Sequence, residues 1–388
     1  MKVALIHDWL TGMRGGERCL QSFIQMYPQA DIFTLIHVRG TTLPEIDARV
    51  KKTSFLQSFP GIKHYYRYLL PLFPRAIAGF DLRGYDLVIS LSHAAAKNVS
   101  MPKGVPHICF CFTPMRYIWD QAEEYFGALT PYLWPLINRL RRWDRKGSKN
   151  VSIFVAISKF VAARIRCYYG VNSAVIYPPV ETSWIRTNPP HRRGRAFLYA
   201  GALVPYKRVD LVVEAFNQMR EELWIVGAGP EEKRLREKAQ SNIQFFGKLS
   251  DQELGECMRN CRALIFPGTE DFGLIPIECM AAGRPVIAAH AGALRETHKG
   301  VKPWLTKTIQ PSESTGVFIK KDEALEVSAL VQSIRYFIDR EEQFSSAGCV
   351  EHSKKFSVME FRAQWNALLI QLDLPQVVAH EPAQAMVA

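Results

Sequence analysis

Two carboxylates, Glu270 and Glu278, stand with seven residues between them inside the run 263–283, and Arg284-Pro285-Val286-Ile287 follows at once. The run opens on an apolar stretch, turns at Gly268 and Gly273, and continues with a helix signature that has Pro276 in its first turn and Gly283 as its stop. Strand, loop, helix and next strand make half of a parallel α/β unit. In such sheets ligands bind at the carboxyl ends of the strands, where a helix N-terminus offers unpaired N–H groups and a positive dipole end. The loop 270–274 therefore sits where a phosphate would be held. Glu278, placed by this reading in the first helical turn, can accept two hydroxyls of a ribose, and Glu270 can reach a polar group beyond the phosphates. The spacing fits a nucleotide joined to something else. Either Glu alone would be read as an acidic residue favouring a helix start; the whole run carries the functional reading.

The setting Glu-Asp-Phe-Gly-Leu-x-Pro-x-Glu resembles the retaining GT-B glycosyltransferases of family 4. The resemblance implies an α/β fold of two Rossmann-like domains facing across a cleft, with a C-terminal helix crossing back to the first. It also implies sugar transfer from a nucleotide donor with retention. Glu270 would contact the sugar hydroxyls, Glu278 the ribose, and the N–H groups of Phe272, Gly273 and Leu274 the phosphates. After the strand-like residues 197–200, Gly201-Ala202-Leu203-Val204-Pro205-Tyr206-Lys207-Arg208 resembles the family's phosphate-binding turn. Most members carry Arg directly after the glycine, where this chain has Ala202. Lys207 becomes the main cation for the diphosphate and Arg208 the substitute for the missing arginine; a solvated basic pair is the alternative. Gly247 and Leu249, at the end of the strand-like run 243–249, would contact the base through backbone groups.

The first half carries further candidates. A glycine turn with Gly15 and Gly16 leads from the first strand into a helix expected near Glu17, and in the family this loop faces the donor phosphates. Asp8 ends that first strand. His93 stands just past the strand-like run 87–92, a catalytic candidate by its place, with a satisfied structural histidine as the alternative. The segment 111–120 looks like the Cys-His-Thr-Pro region of bacterial mannosyltransferase-type members, except that Phe112 stands where they have His. Arg116, Tyr117 and Asp120 keep the pattern and are assigned, with Asp8, to the acceptor side.

At 388 residues with 48% hydrophobic content the chain can build two cores. The domains are expected at 1–180 (with a crossover helix at 357–372) and 196–356, joined by a linker at 181–195 and followed by a disordered tail from 375. Helices are expected at 324–338 and 357–372. The eight cysteines contain no C-x-x-C pair, so neither zinc nor a disulfide frame is indicated. No Asp-x-Asp triplet occurs, and no metal or other cofactor is expected; cations and N–H groups would carry the leaving charge instead. The charge of +12 asks for an acidic partner. Residues 64–75 and 139–146 set aromatics beside Lys and Arg, which suits either an anionic membrane surface or an ordinary solvated helix pair. No apolar run is long enough to span a bilayer, and residues 2–6 open directly into a strand. The chain reads as cytoplasmic, peripheral on the inner face of the plasma membrane. Its partners would be GDP-mannose and a saccharide acceptor on a polyprenyl lipid, with no nucleic acid. A UDP-sugar donor and a degenerate, non-catalytic GT-B protein remain as alternatives. A dinucleotide oxidoreductase would need G-x-G-x-x-G, and Gly227-Ala228-Gly229-Pro230-Glu231-Glu232-Lys233 lacks the third glycine.

Overall fold

The computed structural model describes residues 1–185, 194–307, 309–322 and 325–377. They form two compact units, Met1–Pro178 together with the chain from Arg362, and Pro179–Phe361. The first unit holds β1 Val3–His7, β2 Asp31–Thr34, β3 Val50–Thr53, β4 Leu87–Ser92, β5 His107–Cys111, β6 Ile153–Ala156 and β7 Ser173–Val175. They make one parallel sheet in the order β3-β2-β1-β4-β5-β6-β7. Strands β1, β4 and β5 are buried along their whole length, as a sheet covered on both faces requires. The second unit holds β8 Phe197–Ala200, β9 Leu223–Val226, β10 Ile243–Gly247, β11 Leu264–Phe266, β12 Val286–Ala289, β13 Gly300–Val301 and β14 Gly316–Ile319. Its order, β10-β9-β8-β11-β12-β14-β13, is again all parallel. Each sheet grows first to one side of its opening strand and then to the other, with the change at β1/β4 and at β8/β11; in the second sheet β14 also inserts between β12 and β13. Those two reversals are where loops diverge and a ligand can enter.

Both faces of the first sheet are filled by helices. On one, Phe23 of the helix Gly15–Met26 meets Trp365 of the final helix Val358–Gln371 edge-on at 4.8 Å, and the Trp365 indole donates to Tyr27 Oη at 2.9 Å. On the other, Ala4, Ile6 and Val88 join Tyr66, Leu70, Phe73, Ile137 and Leu140 in one apolar cluster. There the helix Thr130–Gly147 is pinned by a buried ion pair. Asp144 Oδ1 accepts from Lys97 Nζ (2.5 Å) and Asn98 Nδ2 (3.0 Å), and Oδ2 from Trp119 Nε1 and Tyr169 Oη (both 2.8 Å).

Several expectations shift. The first helix starts at Gly15, two residues before Glu17, because the Glu17 carboxylate turns back to accept the Arg14 N–H at 3.1 Å. Residues 64–75 are not one amphipathic helix: Pro71 and Pro74 break the period, giving a 3-10 turn Tyr66–Leu72 and a short helix Phe73–Ala78. The helix expected at 324–338 runs Val327–Ile338, with residues 323 and 324 outside the described residues. Of the linker 181–195, residues 186–193 lie outside the described residues. Residues 181–185 belong to the second unit, where Ile185 is buried and the Trp184 ring lies against Gly255. The tail from 375 is held at its start, where Val377 exchanges two hydrogen bonds with the Asn366 side chain; residues 378–388 lie outside the described residues.

Burial keeps three histidines neutral, pushing them from 6.5 down to about 4 for His7, about 4 for His107 and about 3 for His298. His107 shows the arrangement: Nδ1–H donates to Asn150 O at 3.2 Å, and Nε2 accepts from Ser90 Oγ at 2.8 Å. Below 6.5 the unfolded chain binds protons that the folded chain refuses. Each histidine thus contributes stability that is complete above about pH 6.5 and is lost as the pH falls toward the folded value. Denaturant titrations should lose ~1.4 kcal/mol per pH unit for each of these groups across that window, and His107→Asn should remove one share of the slope. At neutral pH, Trp365→Ala should cost about 3–5 kcal/mol by the same measurement.

Candidate active site

In the first unit the loops at the β1/β4 reversal are organised by Asp8. Its carboxylate is fully buried and accepts four backbone N–H groups, from His93 (2.7 Å) and Ala94 (2.9 Å) on Oδ2 and from Ala95 (2.6 Å) and Ala96 (2.7 Å) on Oδ1. The Asp8 assignment to the acceptor is therefore revised: the carboxylate shapes the turn after β4. It also lies 3.0 Å from His93 Nδ1. That contact turns the Nδ1–H inward and leaves Nε2 as the basic nitrogen. The imidazole stands edge-on to Trp9 at 4.4 Å, and its side chain is 26% exposed. Burial lowers its pKa despite the opposing pull of Asp8, so the ring is a free base at neutral pH.

Gly15 and Gly16 open the first helix beside this ring. A Cβ on Gly16 would lie 3.4 Å from His7 Nε2 and 3.6 Å from the Phe112 ring, so the turn rests directly on both side chains. Phe112 presents its ring 6.3 Å from His93, an apolar wall where a polar contact was expected from the family pattern. Arg116 and Tyr117 lie in the helical turn Arg116–Trp119, and Tyr117 packs on Tyr125 at 4.4 Å. Asp120, its side chain 26% exposed, is engaged by Arg164 and by the Tyr168 hydroxyl, which anchors this segment.

In the second unit the β8/β11 reversal brings Lys207 and Glu270 together as an ion pair. Lys207 ends the 3-10 turn Pro205–Lys207, with its ammonium 5.7 Å from the centre of the Phe266 ring. The turn is set by close backbone packing: a Cβ on Gly227 would fall 1.9 Å from Gly201 O, and one on Gly229 2.2 Å from Leu203 O. Those two glycines, legible only as an α/β turn, thus hold the loop that carries Lys207. Tyr199 Oη donates to Ala202 O at 3.2 Å, fixing the residue that replaces arginine. Arg208 adopts a left-handed conformation (φ 55°) and turns its guanidinium to Asp210 at 3.3 Å.

The Glu270 loop is built from three strand ends. Ala293 N–H, after β12, donates to Glu270 O at 2.9 Å, and Lys321, after β14, donates to Thr269 Oγ1 at 3.0 Å. Asp271 and Phe272 are buried, and Gly273 (φ 89°) caps the helix Leu274–Ala281. Glu278 is its fifth residue, so the expected place in the first turn is corrected by one position: the helix begins at Leu274, past the glycine. It is buried to 6%. Gly247 ends β10 with φ 67° and accepts the Gly227 N–H at 2.7 Å, and Leu249 is half-buried beyond it. The structure thus brings Lys207, Glu270 and the Gly273 helix start to one reversal, and Asp8, Gly16, Phe112 and His93 to the other. Sequence reasoning missed the Asp8–His93 contact, because the two stand 85 residues apart. It also missed Gly292 and Lys321, which carry no local signal.

Gly292 has φ 57°, and a Cβ there would fall 2.4 Å from Glu270 O. Gly292→Ala is expected to lower stability by about 1–3 kcal/mol and to displace the Glu270 loop. Asp8→Asn replaces an acceptor of four N–H groups by a half-donor and should cost about 2–5 kcal/mol. Equilibrium denaturation of both variants beside Arg208→Ala, expected within about 0.5 kcal/mol of wild type, checks both statements.

A family model described as Glycosyltransferase Family 4 matches residues 13–184, and one described as Glycosyl transferases group 1 matches residues 194–323. An uncharacterised glycosyltransferase of Methanocaldococcus jannaschii is 27% identical over 161 residues, 40% of this chain and 45% of that protein. The O-antigen chain mannosyltransferase C of Escherichia coli is 34% identical over 103 residues, 25% of this chain and 28% of that protein. The matched segments span less than half the length of either relative. Anabaena HepE, crystallised with UDP, superposes with a TM-score of 0.71 at 17% identity, covering 96% of this chain and 100% of that one, which identifies the fold as GT-B. With one glycosyltransferase model on each side of the junction between the two parallel-sheet units, the chain belongs to the group 1, family 4 glycosyltransferases.

Proposed function

We propose that this chain transfers mannose from GDP-mannose, with retention and without a metal ion, to a saccharide acceptor on a polyprenyl lipid in surface-polysaccharide assembly. The observation that carries the reading is the Lys207–Glu270 pair at the β8/β11 reversal, next to a helix start opened by Gly273. Transfer requires charge to collect on the departing diphosphate. Lys207 is a mobile cation already at the site. The N–H groups of Phe272 to Leu274 add fixed dipoles at the helix start. Glu270, released from Lys207 by the incoming diphosphate, binds sugar hydroxyls and orients the anomeric carbon. Glu278 holds the ribose and sets affinity. The acceptor oxygen then bonds to the anomeric carbon as the carbon–phosphate oxygen bond breaks on the same face, and the hydroxyl proton passes to the leaving phosphate oxygen. In the first unit, His93, its Nδ1 directed to Asp8, presents Nε2 as a hydrogen-bond acceptor for a saccharide hydroxyl.

Mannose and a surface-polysaccharide acceptor are supported by the Escherichia coli relative's name as an O-antigen chain mannosyltransferase. A UDP-sugar is the second reading, favoured by the UDP bound to the Anabaena structure. Thermal-shift titration with GDP-, UDP- and dTDP-sugars in EDTA separates them. GDP-mannose should stabilise the wild type, Glu278→Ala should lose that shift, and EDTA should leave it unchanged. Lys207→Ala should lower kcat by ~100-fold or more. Absence of any shift with every donor would leave the non-catalytic reading, in which Phe112 and Ala202 mark a degenerate site.

A further inference from the structure

The first unit has one surface that its core does not explain. The segments 55–75 and 125–146 send Tyr66, Leu70, Phe73, Ile137 and Leu140 into a single cluster beneath the β1/β4 sheet face, so they lie side by side over that face. Their outer residues are not the polar set that a solvated helix pair would show. Among the described residues, seven of thirteen exposed large hydrophobic side chains fall between 55 and 134, including Tyr68 at 82%, Leu129 at 62% and Tyr132 at 83%. Residues 54–80 contain no Asp or Glu and carry Lys63, Arg67 and Arg75; residues 125–143 again contain none and carry Arg139, Arg141 and Arg142. The Arg141 guanidinium lies 4.9 Å from the centre of the Trp134 ring, so cation and indole reach the surface together.

We propose that this face docks on an anionic lipid bilayer, an inference that rests in part on the lipid-linked acceptor proposed above. Charge of one sign across two acid-free segments requires an extended acidic partner. The exposed side chains beside it are largely tyrosine and tryptophan, whose apolar rings and polar tips match the headgroup layer. A protein partner would call for mixed charge at the rim and a recessed apolar core, whereas here the most exposed rings, Tyr68 and Tyr132, protrude. The protein lies on the bilayer and does not enter it: among the described residues no helix is long and apolar enough to cross a membrane, and Pro71 and Pro135 interrupt the two elements. Glu123 and Glu124 flank the face on the turn before Tyr125 and mark its edge.

The test is co-sedimentation of the full chain with vesicles of phosphatidylcholine alone and of phosphatidylcholine mixed with phosphatidylglycerol. Wild type should pellet with the mixed vesicles only and be released by high salt. Tyr132→Ser with Trp134→Ser, and separately Arg139→Glu with Arg142→Glu, should each weaken binding by roughly tenfold or more. Both doubles alter exposed positions, and their melting temperatures and donor-induced thermal shifts should match wild type. A failure of membrane docking is thereby distinguished from a failure of the transferase reading. Equal pelleting with both lipids, pelleting with neither, or variants that pellet like wild type would overturn the proposal. So would a dimer in solution that these same substitutions break, since that outcome gives the face to a second copy of the chain.

Discussion

In an all-parallel sheet every strand ends on the same edge, so all the loops that can carry function are forced to one side. The order of the strands then decides where on that edge a ligand fits. Both sheets here switch the side on which they grow beside the first strand of each unit: β1 next to β4, and β8 next to β11. The candidate residues follow from that constraint. Asp8 and His93 leave β1 and β4, while Lys207 and Glu270 follow β8 and β11, so residues far apart in sequence become neighbours without any local motif joining them.

The two reversals use charge differently. Asp8 is saturated by four N–H groups and a histidine, and Asp144 by Lys97, Asn98, Trp119 and Tyr169; such sets offset the desolvation of a buried carboxylate and leave nothing for a ligand. Lys207 and Glu270 are instead partly exposed and paired to each other. The first kind of charge builds the scaffold. The second stays open to solvent.

The two departures from the family pattern also take on distinct meanings. Ala202 sits in a turn whose carbonyl is held by Tyr199 and whose shape is enforced by Gly227 and Gly229, so the backbone of the turn is fixed without the arginine that the family pattern carries. Phe112 supplies a ring against Gly16 and beside His93, replacing a polar position by an apolar wall. The first change removes a cation from a preserved loop, and the second changes the character of the surface itself.

Buried strands such as β4 and β8 were legible as apolar runs, whereas β14, buried along its whole length, was not read. Edge strands such as β3 and β7 were not legible either, since exposed Lys51 and Lys52 and half-buried Ser173 leave no apolar run to read. The Glu270 to Glu278 spacing and the Lys207 turn were visible because turn, helix start and charged side chains lie within one short stretch. By itself, then, the sequence determined the α/β class and the family. Only the tertiary structure decided that Asp8 shapes the turn after β4 and orients His93, that Asp120 pairs with Arg164, and that Gly292 and Lys321 support the Glu270 loop. Each of those roles depends on which loops meet at a strand-order reversal, and contacts across tens of residues leave no period or spacing in the chain to mark them.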